Sequence, residues 1–238
     1  MTYHQKKQIE TINQIEKQIK NESLQASTVS PVKNYDTDPR ICLTSVHFPK
    51  QSFINNSYAT ITDPLKKLFP EAYFYTPSSL HFTIKNIRII NNPPRFTEAD
   101  ITVANEIFTL TIPLHQQFFI YPYKLLLFKN SLSLMCTSDE ELDHIILDLN
   151  RRLTEAGIQD DKQYANSSCF FCNMTIARFN TYPPHKCREM IETISSTLNL
   201  PSYCIDSVSL VSANAAMKKL TIFNTWKLNK KRCERCDQ

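Results

Sequence analysis

Two short segments of the chain place a polar side chain two residues before a threonine. The first is His81-Phe82-Thr83 and the second is Asn173-Met174-Thr175. Both lie in apolar, β-forming stretches that read as strands, where residues i and i+2 point to one face. Imidazole transfers protons near neutral pH, and a threonine hydroxyl donates and accepts hydrogen bonds. The two triplets together are therefore a candidate site for acid–base chemistry. The first triplet begins with a histidine, whereas the second has Asn173 at the matching position.

The elements that carry the two triplets recur in the same order. Each triplet strand is followed within a few residues by a Pro-Pro break, at Pro93-Pro94 and Pro183-Pro184, and then by a helix. This repetition predicts an α+β fold with an internal duplication. The predicted helices cover residues 51–69, 97–107, 138–156 and 187–198. The predicted strands cover residues 41–49, 79–87, 108–114, 117–121, 124–127, 131–136, 169–179, 203–212 and 220–228.

Two of these helices have clear boundary signals. Thr97 and Asp100 form a predicted capping box at the start of one helix. Ser138 and Glu141 are predicted to do the same for the longest helix, and Gly157 is placed to end it. The four-residue and three-residue spacing of Ile9, Ile12, Ile15 and Ile19 predicts an amphipathic helix near the N-terminus, docked on a neighbouring element.

Composition excludes several classes of function. The chain has 238 residues, a net charge of +4 and a single glycine, Gly157, so glycine-rich P-loop and Rossmann phosphate sites are excluded. It has no apolar run long enough to span a membrane and no N-terminal signal sequence, so we expect a cytoplasmic protein that does not enter membranes. The eight cysteines are expected to be free thiols. The Cys169/Cys172 and Cys233/Cys236 pairs have zinc-like spacing but are not expected to bind a metal.

The sequence resembles the 2H phosphoesterase superfamily, in particular its bacterial 2′–5′ RNA ligase and RNA 2′,3′-cyclic phosphodiesterase branch. The resemblance covers roughly residues 40 to 228 and rests on short motifs that include His81-Phe-Thr-Ile-Lys85 and Met174-Thr-Ile-Ala-Arg-Phe179. It implies two pseudo-symmetric lobes of antiparallel sheet with flanking helices around a central cleft. The expected domains are an N-terminal helix and linker at 1–39, the 2H-like domain at 40–228 and a basic, Cys-containing tail at 229–238.

The resemblance also implies roles for six residues. His81, Thr83 and Thr175 would be catalytic, and Asn173, Lys85 and Arg178 would bind phosphate or substrate, with no metal and no cofactor. Strict alternation places Lys85 on the face of His81 and Thr83, but places Arg178 on the face opposite Thr175.

Asn173 departs from the family pattern, because an amide does not transfer protons at neutral pH. The loss of a general acid or base typically costs about 10²–10⁴-fold in rate. His47 and His115 lie in predicted strands and could reach the cleft, whereas His144 lies on a helix and His185 after a Pro-Pro break. For all four, a surface or structural position is the expectation.

Three functions follow from these observations. The first is a weak phosphoesterase or ligase-like enzyme acting on RNA ends or cyclic nucleotides, with a monomer as its expected state. The second is a catalytically inactive homologue that binds RNA or a small nucleotide with a 2′- or cyclic phosphate, with Phe48, Phe82 and Tyr121 as candidates for base stacking. The third is an interaction protein that works through the N-terminal helix and the Cys-containing tail.

Overall fold

The structure of the protein, a computed structural model, describes residues 1–26, 28–164, 166 and 169–230. The helices in this part of the chain are α1 (Tyr3–Lys20), α2 (Gln51–Ser57), α3 (Asp63–Leu68), α4 (Glu98–Thr111), α5 (Glu141–Glu155) and α6 (His185–Ser196). The strands are β1 (Ile41–His47), β2 (Tyr73–Phe74), β3 (Phe82–Asn91), β4 (Phe118–Phe128), β5 (Ser131–Ser138), β6 (Cys172–Arg178), β7 (Tyr203–Ile205), β8 (Ser207–Ala213) and β9 (Leu220–Lys227). None of these helices is long and apolar enough to cross a membrane.

The strands form two antiparallel sheets. The first has the order β3-β1-β8-β9 and the second has the order β2-β6-β5-β4-β7. The first half of the chain runs β1-α2-α3-β2-β3-α4, with β2 added to the second sheet, and the second half runs β5-α5-β6-α6. The triplet strands β3 and β6 occupy equivalent places, each paired with the strand that opens its series. The predicted two-lobed α+β fold is therefore confirmed.

One hydrophobic core joins the two sheets. It contains Leu43 and Phe82 of the first sheet and Leu134 and Met174 of the second, together with apolar residues of α2 to α6. Tyr203 lies between the lobes, where its ring packs on Phe53 and Phe82. Each fully buried aliphatic or aromatic side chain contributes roughly 1.5–3 kcal/mol relative to exposure, so this shared core ties the two lobes together.

The N-terminal helix α1 packs on the second sheet. Ile12 and Ile15 are buried against Leu126 of β4 and Met135 of β5. Gln8 is fully buried, and its amide nitrogen donates to Ser138 Oγ at 2.8 Å and to the Phe170 carbonyl at 2.6 Å. The predicted docked helix is therefore present, with a buried polar anchor that apolar periodicity did not reveal.

The predicted strand at residues 108–114 is wrong, since this segment continues α4 and then forms a 3₁₀ turn, Ile112–Leu114. Ile101, Ala104 and Phe108 are buried at helical spacing, and tertiary packing of this face overrides the β propensity of the Phe-Thr-Leu-Thr-Ile stretch. The Thr97–Asp100 capping box is present as predicted.

The predicted Ser138 cap is also wrong. Ser138 ends β5, where its backbone N–H donates to Gln8 Oε1 at 2.8 Å, and α5 begins at Glu141 without a side-chain cap. Ser138 is therefore bound to α1 rather than to α5. Gly157 follows the end of α5 with a φ of +80°, as the helix-ending prediction requires.

Two strand predictions differ in their division. The segments predicted at 117–121 and 124–127 form the single strand β4, which carries an irregularity between Pro122 and Lys124. The segment predicted at 203–212 is split, because β7 joins the second sheet and β8 the first. Cys169 and Cys172 are buried free thiols, whereas Cys233 and Cys236 lie outside the described residues.

Candidate functional site

Both triplets line one cleft between the lobes. The cleft has a volume of about 450 Å³, and its walls include His81 and Thr83 of the first lobe and Asn173 and Thr175 of the second. His81 immediately precedes β3, and β3 lies against β6. The structure therefore brings together the four triplet residues that the sequence singled out.

Arg178 lines the same cleft, in contrast to the expectation from strict alternation. The register of β6 against β5 shifts between the Ser133–Thr175 and Leu132–Ala177 pairs, which leaves one extra residue in β6. Such a bulge reverses the alternation of side chains beyond it. It therefore returns Arg178 to the face of Thr175, and the prediction that Arg178 lies on the opposite face is wrong.

Lys85 is absent from the cleft walls among the described residues, so its predicted place beside His81 and Thr83 is wrong. Opposite β1, Thr83 pairs with Val46 and Lys85 with Ser45, which again leaves one extra residue, here in β3. The bulge turns the Lys85 side chain away from the cleft, where it is 2% exposed and forms an ion pair with Asp160.

The chain segment before β3 fixes the orientation of the His81 ring. A 3₁₀ turn begins at Pro77 and ends at Ser79, and His81 Nδ1 lies 2.8 Å from the Ser79 carbonyl oxygen. Because a carbonyl only accepts, Nδ1 carries the proton and Nε2 is left as an acceptor in the neutral ring. Burial, with a smaller contribution from Arg178, lowers the pKa of His81 to about 4. His81 is therefore neutral at pH 7 and suited to accept a proton.

Tyr75 orients Arg178. Arg178 Nε donates to the Tyr75 hydroxyl at 2.8 Å, and the same hydroxyl donates to the Ala215 carbonyl. The Tyr75 ring is almost fully buried and lies 6.0 Å from the His81 ring, measured between centroids. Tyr75 is not among the predicted site residues, and the aromatic run before the Thr76-Pro77 turn is the signal that could have identified it.

Cationic side chains line the cleft. Its walls carry the cationic side chains of Arg40, Lys162 and Arg178, and none of the described residues that line it is Asp or Glu. Arg40 is paired with Asp38, which is buried behind it, at 2.8 Å. Burial lowers the pKa of Lys162, as expected for an ammonium that has lost part of its hydration. An anion entering the cleft would restore favourable interactions to Lys162 and Arg178.

The other two histidines considered for the cleft have structural partners elsewhere. His47 contacts the Ser207 carbonyl through Nδ1 at 2.9 Å and the Tyr203 hydroxyl through Nε2 at 3.1 Å. His115 Nδ1 lies 2.9 Å from a Glu141 carboxylate oxygen. Among the described residues that line the cleft, His81 is the only histidine.

The aromatic side chains at the cleft differ from those proposed for base stacking. Phe82 is buried in the core and the Tyr121 hydroxyl donates to Asp139. Phe48 packs against a small apolar cluster made of Val46, Val211, Ala213 and Met217. Among the described residues, the aromatic side chains that do line the cleft are Tyr75, Phe128, Tyr164, Phe170 and Phe171. Tyr164 and Lys162 belong to a polar loop without periodicity, which gave no signal in the sequence.

Comparison with solved structures finds the same architecture in three bacterial proteins. A protein of unknown function from Agrobacterium tumefaciens matches with a TM-score of 0.56 and 13% identity, over 83% of this chain and 95% of that one. A protein of Thermus thermophilus matches with a TM-score of 0.53 and 13% identity, over 81% and 99%. LigT of E. coli, crystallised with ATP, matches with a TM-score of 0.52 and 13% identity, over 81% and 99%.

No protein-family model matches the chain, and no curated protein matches it by sequence. A further structural match, with a TM-score of 0.53 and 13% identity over 81% of this chain and 99% of that one, is described as a phosphoesterase. At these identities the comparisons establish the fold. The chain has the two-lobed fold of LigT and of the protein described as a phosphoesterase.

Proposed function

We propose that the cleft binds the phosphate ester of a nucleotide or of an RNA end, and that it hydrolyses a 2′,3′-cyclic phosphate slowly. The observation that carries this proposal is the meeting of His81, Thr83, Asn173, Thr175 and Arg178 on the walls of one cleft. LigT, which shares the fold, has been crystallised with ATP and with NADP+. Both ligands are nucleotides that carry phosphate esters, which supports the same ligand class here.

The donors on the cleft walls match the needs of a phosphate group. The hydroxyls of Thr83 and Thr175 and the amide of Asn173 can donate to its non-bridging oxygens. Arg178 is held through Nε by Tyr75, so its remaining N–H groups can form charge-assisted hydrogen bonds without loss of side-chain freedom. The described walls carry no Asp or Glu side chain, so no carboxylate would contact the phosphate directly.

His81 would act as the general base. In its neutral form, Nε2 takes a proton from water while the water oxygen attacks phosphorus and a ribose oxygen leaves. A pKa of about 4 makes His81 a weak base in the empty site. A bound phosphate anion would raise that pKa, since a nearby negative charge favours the imidazolium form.

Asn173 would hold the phosphate but could not protonate the departing ribose oxygen. Protonation would then fall to solvent, which makes the reaction slower by about 10²–10⁴-fold than with a positioned acid. Slow turnover is therefore part of the proposal.

The test is hydrolysis of adenosine 2′,3′-cyclic phosphate by purified protein. We expect slow turnover in the wild type, none above buffer in His81→Ala, and a gain of about 10²-fold or more in Asn173→His. His144→Ala is the matched control, because His144 is exposed on α5 and should leave turnover unchanged. Wild-type turnover equal to that of His81→Ala would exclude hydrolysis by this site.

The second candidate function is binding without chemistry. It is favoured by the absence of any second histidine from the described cleft walls. In that case the same nucleotide binds in a salt-dependent way and is recovered unchanged, and Asn173→His alone confers turnover. Failure of the nucleotide to bind at low salt would rule out both functions.

A further inference from the structure

The N-terminal segment supplies one wall of the cleft. Ile15 of α1 and Leu24, Ala26, Thr28, Val29 and Ser30 beyond it line the same cleft as His81. The segment is held at its far end too, because Asn130 donates to the Val29 carbonyl and Arg40 donates to the Ser30 carbonyl at 3.0 Å. The described part of this segment is therefore built into the site.

Helix α1 covers the sheet directly beside Asn173. In the pairing of β5 with β6, Asn173 is opposite Met135, and Met135 is buried against Ile12 and Ile15 of α1. Phe171, two residues before Asn173, packs in the same cluster. Helix α1 therefore covers this face of the second sheet at Met135 and Phe171, directly beside Asn173.

The hold on α1 is polar as well as apolar. Gln8 makes two buried hydrogen bonds with Ser138 and a partly buried one with the Phe170 carbonyl. Displacing α1 would leave these groups and the apolar cluster to be solvated, so a ligand cannot push the helix aside without a large cost.

We propose that the N-terminal segment closes the cleft at its Asn173 end and restricts the site to a mononucleotide-sized phosphate ester. A volume of about 450 Å³ lies at the small end of the range for ligand pockets, about 300–1,000 Å³. An RNA strand running past Asn173 would collide with α1. This inference rests on the proposed function, and it selects a small nucleotide over a longer RNA.

The experiment compares two probes that carry the same reactive group. One is adenosine 2′,3′-cyclic phosphate, and the other is a ten-nucleotide RNA that ends in a 2′,3′-cyclic phosphate. Dissociation constants are measured at low salt for the wild type, for Gln8→Ala, which removes the buried anchor, and for Gln14→Ala, the matched control at an exposed position of α1.

We expect the wild type and Gln14→Ala to bind the mononucleotide at least ten-fold more tightly than the RNA. In Gln8→Ala the ratio of the RNA dissociation constant to the mononucleotide dissociation constant should fall ten-fold or more, because the RNA binds more tightly. The mononucleotide dissociation constant should change less than three-fold. If circular dichroism shows that Gln8→Ala is unfolded, Ile12→Ala takes its place as the loosening variant.

Equal affinity of the wild type for both probes would overturn this inference and leave the proposed function standing. A preference that persists unchanged in the folded loosening variant would also overturn it. If neither probe binds the wild type, the proposed function itself fails, and this inference fails with it.

Discussion

His81 combines burial with a single defined tautomer. The residue is 8% exposed, Nδ1 donates to the Ser79 carbonyl, and burial lowers the pKa of His81 from 6.5 to about 4. Burial holds the neutral imidazole in a good orientation to accept a proton. The same desolvation makes the imidazole less basic. The site therefore depends on its ligand to restore basicity to His81.

The His81 pKa predicts a dependence of stability on pH. Between pH 6.5 and 4 the unfolded chain binds a proton at this position and the folded chain does not. The contribution of His81 is thus fully present above pH 6.5 and is lost as pH falls toward about 4. On acidification from pH 7 to pH 4, the unfolding free energy of the wild type should therefore fall by about 3 kcal/mol more than that of His81→Gln.

Urea unfolding of the wild type, His81→Gln and His144→Gln at several pH values between 4 and 7 measures this effect. His144 is exposed and serves as the control, whose profile should follow the wild type. Parallel profiles for wild type and His81→Gln would contradict the assigned environment of His81.

At the scale of elements, β-bulges explain why some strand side chains lie on a different face from the one that the sequence predicts. Alternation along Leu80–Lys85 correctly places His81 and Thr83 on one face, and fails for Lys85 because one extra residue lies in β3. The bulge is stabilised from β1, where the hydroxyls of Thr44 and Ser45 donate to the Lys85 carbonyl, both at 3.2 Å. Bulge position thus depends on a partner strand that is distant in sequence.

Dependence on partners that are distant in sequence also explains which of the other site residues could be predicted and which could not. The triplets, the fold class and the Gly157 helix end follow from local patterns, and these agree with the structure. The bulge in β6 turns Arg178 into the cleft. Tyr75 lies on the segment that crosses between the lobes, and Lys162 lies on a loop. These three features are set by tertiary pairing, so local periodicity carries no information about them.

The bulge in β3 places Lys85, whose side chain is 2% exposed, in an ion pair with Asp160, which is 11% exposed, and this pair holds the cleft-lining loop. Lys85 Nζ is paired with Asp160, and the Tyr164 hydroxyl donates to the same carboxylate at 2.7 Å. Asp161 adds a hydrogen bond from the Ile89 backbone N–H at 2.7 Å. The loop that carries Lys162 is thereby fastened along β3.

Lys85→Met should destabilise the protein by about 3–5 kcal/mol, because it leaves the Asp160 carboxylate buried without its cation. The double variant Lys85→Met/Asp160→Leu should recover much of that loss, since neither charge is then buried. Unfolding free energies from urea titration measure both. The control is Arg95→Met, which breaks an exposed pair with Asp161 and should cost at most about 1 kcal/mol. Equal costs for Lys85→Met and Arg95→Met would refute the role of the buried pair.

At the scale of the whole molecule, the two lobes are separate sheets with a common core. In the described part of the chain, consecutive strands lie in different sheets at four points: between β1 and β2, between β2 and β3, between β3 and β4, and between β7 and β8. Tyr203 contacts Phe53 and Phe82, so the second sheet is packed directly against elements of the first lobe. A cleft whose walls come from both lobes keeps its geometry only while these contacts hold.

The shared core predicts that the lobes unfold together. The chain contains one tryptophan, Trp226 of β9, which is 7% exposed, packs on Phe108 and donates from Nε1 to Thr109 Oγ1 at 3.1 Å. Its fluorescence therefore reports on the first sheet, whereas far-ultraviolet circular dichroism reports on both lobes. We expect the two signals to change at the same urea concentration, as for one cooperative transition. Separate midpoints would mean that the first sheet unfolds independently, in which case the cleft would lose one wall before the protein unfolds.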